Sequence, residues 1–317
     1  MNAMSAMSGT GALALPATMR VFERGWLSAN NVLFIDDATQ DTTLVDSGYV
    51  THAPQTVALV EAALDGRPLR RVINTHLHSD HCGGNAALQQ RWQPRTAIPA
   101  AEAAAVSAWD ADALTFDATG QQCARFTFDN VLHDGDALQL GGIDWRVIAA
   151  PGHDPHAVML FAPAQRILIS GDALWENGFG VIFPELDGES GFAEQAAILA
   201  LIDKLDVRLV IPGHGRLFGD VAGAVARARS RLDYLQADPL RNATHAMRVL
   251  AKFKLLEAQA LPRDDLFAWF AATPLMQRMH ARFTPGQALD AVFDQTLLAL
   301  EKVGALQRDG NLVANRD

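Results

Sequence analysis

Two cysteines in 317 residues cannot build a disulfide framework. No stretch reaches the roughly 18 uninterrupted apolar residues of a membrane-spanning helix. Positive charge is not in excess either: 26 Lys and Arg stand against 36 Asp and Glu, a net charge of −10. A surface acidic on the whole repels polyanions, so composition disfavours nucleic acid as a partner. Beyond about residue 220, however, basic residues slightly outnumber acidic ones, which leaves nucleic acid open there. Internal repeats and long low-complexity segments are absent. The N-terminus, residues 1–19, lacks a basic region, and its apolar stretch at 12–17 is short for a signal peptide, so it reads as a disordered tail. What remains is a globular composition, 49% hydrophobic and 20% charged, with room for one large domain and a smaller one. Cytoplasm is the simplest compartment, without membrane attachment.

Residues 75–84 read Thr-His-Leu-His-Ser-Asp-His-Cys-Gly-Gly. Side chains on an extended segment alternate with period two, so His76 and His78 project to the same side and can pinch one metal. Asp80 continues the alternation, and His81 begins a turn that reaches toward a second ion. Imidazole and carboxylate suit zinc, and also iron or manganese. A polar loop with incidental histidines is the bland alternative, and the downstream sequence argues against it.

Three later segments repeat one grammar, a short apolar strand followed by a turn with a potential ligand. Residues 145–150 lead into Pro151-Gly152-His153, residues 166–170 into Gly171-Asp172, and residues 207–211 into Pro212-Gly213-His214. Apolar runs bounded by Gly and Pro read as buried strands. Ligands at several strand ends converge on one sheet edge, where glycine allows close backbone approach.

The set His76, His78, Asp80, His81, His153, Asp172 and His214 resembles the metallo-β-lactamase superfamily at all seven ligand positions, over roughly residues 20–220. Residues 45–48, Val-Asp-Ser-Gly, look like that family's early strand-end aspartate motif. The resemblance implies an α+β four-layer αβ/βα sandwich, the metallo-β-lactamase fold, with the metals at one edge. It implies that His76, His78 and His153 hold one metal, that Asp80, His81 and His214 hold another, and that Asp172 bridges them. The expected cofactors are two divalent ions, zinc first, with iron or manganese compatible. Two such cations share a hydroxide that attacks a carbonyl carbon or phosphorus. Asp80 is the expected catalytic residue, handling the proton, while Asp46 stands behind the ligand loops and fixes them. A strand-end turn aspartate is the alternative for Asp46.

Departures from relatives narrow the substrate. Aspartate at 172, where true β-lactamases of the superfamily carry cysteine or serine, argues against antibiotic hydrolysis. Trp175 stands where lactonases resembling this chain often carry tyrosine. Glyoxalase II enzymes share the ligand set and add a helical C-terminal domain. Trp175, Phe179 and His156 are the candidate pocket residues, with Trp269, Phe270 and Met276 as a roof from the C-terminal region. Cys82 reads as a small semi-buried residue, with a metal ligand or redox switch as the alternative, and Cys123 as core; His245 and His280 read as helix-face residues. After His214 the pattern turns helical, with a basic face at Arg227, Arg229 and Arg231, a break at Pro239, and a closing hairpin around Asp309-Gly310. Residues 221–317 thus form an expected helical C-terminal domain that resembles a winged-helix module. The leading expectation is a metallohydrolase of a small ester, thioester or lactone-like substrate. A phosphodiesterase or nuclease using the C-terminal module, and an iron-dependent persulfide dioxygenase, are the alternatives. The expected partner is a small molecule, and a homodimer is left open.

Overall fold

The computed structural model describes residues 14–316. The expected tail, residues 1–19, lies mostly outside them, but its last part is ordered. Leu15 packs on the core and Met19 opens the first strand.

In chain order the strands are β1 (Met19–Phe22), β2 (Asn31–Asp36), β3 (Asp41–Val45), β4 (Arg71–Ile73), β5 (Arg95–Pro99), β6 (Asn130–Leu132), β7 (Ala137–Leu140), β8 (Ile143–Ala149), β9 (Val158–Ala162), β10 (Ile167–Gly171), β11 (Leu209–Pro212), β12 (Ala260–Pro262), β13 (Leu306–Asp309) and β14 (Leu312–Asn315). The helices are α1 (Ala53–Leu64), α2 (Ser79–Cys82), α3 (Asn85–Trp92), α4 (Ala103–Ala108), α5 (Phe116–Thr119), α6 (Pro184–Asp187), α7 (Phe192–Ile202), α8 (Val221–Gln236), α9 (Pro239–Ala258), α10 (Arg263–Ala272), α11 (Pro274–Phe283) and α12 (Leu289–Lys302). Strands β1 to β6 form one sheet in sequence order, antiparallel as far as β3 and parallel beyond it. The second sheet runs β11-β10-β9-β8-β7, with only β10 and β11 parallel.

Period-two alternation explains the layering. In β2, Val32 and Phe34 face the second sheet while Leu33 faces α1 and α3; in β10, Ile167 and Ile169 face inward while Leu168 meets α7 and α8. Phe34 meets Trp145 edge-on across the two sheets, ring centroids 5.4 Å apart. Truncating a buried aromatic of this kind costs about 3–5 kcal/mol. The expected four-layer sandwich is thus the observed one. The turn between β6 and β7 carries the chain from one sheet to the other.

Several boundaries differ from the sequence reading. The break at Pro239 is present, since α8 ends at Gln236, but the next helix starts at Pro239 itself, where its missing N–H costs nothing and Asp238 caps the start by accepting from the Leu240 N–H at 3.1 Å. The alanine-rich residues 99–111, whose composition predicts a helix, are α-helical only over α4; Pro99 closes β5 and residues 100–102 form a 3-10 turn. Helix α8, expected in the C-terminal domain, lays Val225, Ala228 and Leu232 on the second sheet beside α7. The separate helical core begins with α9, where Met247, Leu250 and Leu255 pack against Phe270, Met279 and Phe293. The expected hairpin is present as β13 and β14, with β12 completing a three-stranded sheet. Among the described residues no helix is long and apolar enough to cross a membrane.

Candidate metal centre

Every expected ligand follows the C-terminal end of a strand, and the strands share one edge of the sandwich. Strand β4 delivers His76, β8 leads to His153, β10 to Asp172 and β11 to His214. The short helix α2 places Asp80 and His81, both buried, with Leu77 pointing into a different cluster. The backbone at Asp46 turns left-handed (φ 57°) to aim its carboxylate at this motif.

The donors divide into groups. His76, His78 and His153 converge, as do Asp80, His81 and His214, and Asp172 joins His76 and His81 between them. His78 Nδ1 lies 2.8 Å from His153 Nε2, and Asp80 Oδ2 lies 2.9 Å from His214 Nε2. Asp172 faces both groups: Oδ1 is 3.4 Å from His81 Nε2, while Oδ2 is 3.5 Å from His153 Nε2 and 3.9 Å from His214 Nε2.

Whether a metal fits is decided by the nitrogens. His76 Nε2 and His81 Nε2 are buried without a hydrogen-bond partner among the described residues, and the His214 nitrogen that faces the cluster is Nε2, beside Asp80. Elsewhere the far ring atom is engaged, which fixes the tautomer. His81 Nδ1–H donates to Asp46 Oδ2 at 2.8 Å, and His153 Nδ1–H donates to the Val181 carbonyl at 2.5 Å. In each ring Nε2 is then the atom that faces the cluster, the one a metal-ligating imidazole would present. Burial pushes the His76 and His153 rings toward neutrality, His153 to about 4. Burial also disfavours charge on His81, but Asp172, Asp46 and Asp80 together hold it well above its ordinary value. Burial raises the Asp172 carboxyl too, yet His81 and His214 outweigh it and keep the group well below the usual range. The donor set is one that divalent metal ions satisfy.

Asp46 does more than cap a strand. Its Oδ1 accepts the Thr75 N–H at 2.9 Å and its Oδ2 accepts the Thr75 hydroxyl at 2.8 Å, besides the bond from His81. Residues that the sequence reading passed over complete the frame. Asn85 donates to Asn74 Oδ1 at 2.7 Å, and Asn74 donates to the His81 carbonyl at 3.1 Å. Asp154, next to His153, sets a carboxylate oxygen 3.4 Å from His78 Nε2. Trp26 stacks on the His214 ring with centroids 5.4 Å apart and 7° between planes.

A cavity of about 560 Å³ opens from the cluster toward the helical region. Trp175 lines it as expected, and its indole N–H donates to Asp172 Oδ1 at 3.1 Å. Phe179 and His156 do not line it. Phe179 is fully buried in the core beneath Arg231, and His156 turns to Glu102 with Nδ1 2.7 Å from Oε1. Trp269, Phe270 and Met276 also fail as a roof. They pack into the helical core, and the Trp269 indole donates to the Gly120 carbonyl at 3.3 Å.

The wall is instead one face of α9. His245, Arg248, Val249, Phe253 and Leu256 recur at helical spacing and line the cavity. Arg231 joins them from α8; the expected basic face is split, since Arg227 and Arg229 pair outside with Asp220 and Asp203. Arg231 donates to His245 Nε2 at 2.7 Å, and burial with two flanking guanidiniums pushes the His245 pKa down to about 3. No carboxylate among the described residues pairs with Arg216, Arg231 or Arg248, and Arg231 Nε is buried without an acceptor.

Residues 25–214 match the family model described as the metallo-beta-lactamase superfamily. The chain belongs to this superfamily. It is 32% identical over 150 residues to a hydroxyacylglutathione hydrolase of Rhodopseudomonas palustris, a match covering 47% of this chain and 49% of that one. It is 28% identical over 208 residues to the acyl-coenzyme A thioesterase MBLAC2 of Bos taurus, covering 60% of this chain and 70% of the relative. The chain thus spans about half the length of the first relative. Among solved structures, a metallo-beta-lactamase family protein of Thermus thermophilus superposes with a TM-score of 0.56 at 19% identity, over 96% of this chain and 100% of the other. A beta-lactamase domain protein of Burkholderia ambifaria gives 0.54 at 23%, over 96% of both chains. These two likenesses extend the shared fold into the helical region.

Proposed function

We propose that this protein is a metal-dependent thioester hydrolase, with zinc as its metal, acting on acyl thioesters whose thiol portion carries anionic groups. The observation that carries the reading is one cavity joining the His and Asp cluster to Arg216, Arg231 and Arg248. Guanidinium groups without a protein carboxylate are matched by carboxylate or phosphate on a ligand. The names of the hydroxyacylglutathione hydrolase and acyl-coenzyme A thioesterase relatives point the same way.

His76, His78 and His153 on one side and Asp80, His81 and His214 on the other, with Asp172 between, would hold divalent ions, which when bound would supply Lewis acidity and lower the pKa of water. The remaining work falls to the chain. Asp80, with Oδ2 beside His214, is placed to hold or pass the proton released when water attacks the thioester carbonyl. Trp26 and Trp175 flank the His214 ring and line that end of the cavity. The α9 face receives the thiol portion, its arginines binding charge while Val249, Phe253 and Leu256 take apolar atoms.

The test is a substrate panel with the metal content measured on the same preparation. Acyl-coenzyme A and acyl-glutathione are expected to turn over with lower KM than the uncharged acyl-N-acetylcysteamine thioester. Hydrolysis of a bis-aryl phosphodiester without any thioester turnover would replace this reading with a phosphodiesterase. One iron per chain and oxygen uptake with persulfides would replace it with a dioxygenase.

A further inference from the structure

The two cysteines of the chain lie 41 residues apart, yet their Sγ atoms are 3.8 Å from each other. Cys82 ends α2, the helix that carries Asp80 and His81, and is fully buried. Cys123 is half-buried in residues 121–128, which have no regular secondary structure. The two segments are already joined beside the sulfurs by the Ser79 hydroxyl, which donates to Gln121 Oε1, while the Gln122 N–H is anchored to the Tyr49 hydroxyl at 3.2 Å. Gln121 also lines the cavity, so the pair links the metal-bearing helix to a segment of the pocket wall.

We propose that Cys82 and Cys123 form a redox-reversible modification site, an intramolecular disulfide made by reaction with a peroxide. The sulfurs need to close to about 2.05 Å. Cys123 stands on a segment held in no helix or sheet, so its side of the pair is the one less constrained by backbone hydrogen bonding. Cys123 is the accessible entry point. Its sulfur attacks one peroxide oxygen, the O–O bond breaks, and a sulfenic acid and one water (or alcohol) result. The sulfur of Cys82 then attacks Cys123 Sγ; the S–S bond forms, the S–O bond breaks, and hydroxide leaves with the Cys82 proton as water. Two thiols lose two electrons to one peroxide, and a dithiol reductant reverses the change. Fold-enforced proximity makes this pairing outcompete further oxidation, since the second sulfur waits in contact with the first.

Hydrogen peroxide at one equivalent on the metal-loaded full chain, followed by trypsin and mass spectrometry, tests it. Residues 72–91 and 96–125 form separate tryptic peptides with one cysteine each. The expected product is these two peptides cross-linked, lighter than their sum by the two hydrogens lost, and released by dithiothreitol. In the Cys123→Ser protein Cys82 stays a free thiol under the same treatment. Sulfinic or sulfonic acids, or disulfide-linked dimers, in place of the cross-link would overturn the proposal. So would oxidation of Cys82 in Cys123→Ser at the wild-type rate, which would remove Cys123 as the entry point.

Discussion

His81 Nδ1 sits 2.8 Å from Asp46 Oδ2 although 35 residues separate them in the chain. The same carboxylate holds Thr75 by its N–H and hydroxyl, so one buried side chain fixes both ends of the 75–81 ligand segment. Asp46→Ala is expected to destabilise the protein by about 1–3 kcal/mol, because the Thr75 N–H loses its acceptor in a dry site. Loss of orientation at His81 is expected to weaken metal binding by about 10–100-fold. Competition against a chromophoric chelator checks the second effect; wild-type affinity would reduce Asp46 to a strand-end turn residue.

Gly180 is a packing requirement of His153. A Cβ there would collide with His153 Nδ1, the atom that bonds to the Val181 carbonyl. Gly180→Ala is expected to push the ring off its axis and to lower metal occupancy while leaving the far-ultraviolet circular dichroism intact. Full occupancy would place His153 outside the metal group.

Metal removal exposes the cost of the site to the apo protein. Buried His76 Nε2 and His81 Nε2 have no hydrogen-bond partner among the described residues. A metal at a thousand times its Kd stabilises the native state by about 4 kcal/mol through mass action. Dialysis against a chelator is therefore expected to lower the thermal midpoint, and readdition of zinc to restore it. An unchanged midpoint would argue that no ion stabilises this cluster.

The cationic wall predicts a substrate-dependent defect. Removing a charge-assisted hydrogen bond costs about 1.5–3 kcal/mol, a factor of roughly 10–100. Arg231→Gln and Arg248→Gln are expected to raise KM for acyl-coenzyme A or acyl-glutathione by about that factor. The uncharged N-acetylcysteamine thioester should keep its KM and kcat. Equal losses on charged and uncharged thioesters would mean that the arginines only support the fold.

His245 predicts an acid-sensitive stability. Burial and the two arginines hold it at about 3, below the roughly 6.5 of an unfolded chain. Between these values the unfolded state takes up a proton that the native state refuses, so stability falls as pH drops below about 6.5, by about 1.4 kcal/mol per unit. Gln keeps an acceptor for Arg231 and has no proton to bind. Denaturant unfolding of the metal-free proteins between about pH 6 and 4 should show a slope shallower by about one proton in His245→Gln. Identical slopes would put the titration elsewhere.

Local pattern accounts for much of this protein. Alternation along β2 and β10, glycine at the strand ends, and the spacing of His76, His78, Asp80 and His81 are properties of a few consecutive residues. The buried strands and the ligand candidates are therefore legible in the sequence, and the sandwich follows from the family resemblance those ligands carry. The aromatic content after Asp172 is equally visible, but whether a ring faces a cavity or a core depends on what lies opposite. Trp175 reached the cavity and donates to Asp172, while Phe179, four residues on, was covered by Arg231.

The remaining features belong to long-range contact. Asp154 gave no signal beyond standing next to His153, and Trp26 lies 188 residues before the His214 ring it stacks on. Pro239 opens α9 because Asp238 caps it, and α9 then lies over the site because Asn242 donates to the Ile182 carbonyl at 2.9 Å near its start and Tyr49 donates to Glu257 at 3.2 Å near its end. That placement turns the face from His245 to Leu256 into a pocket wall. The seven candidate ligands are legible along the chain, because ligand chemistry is written in residue type and short spacing. What faces the metal is settled only in three dimensions, because burial, charge pairing and the meeting of Cys82 with Cys123 depend on which distant segments pack together.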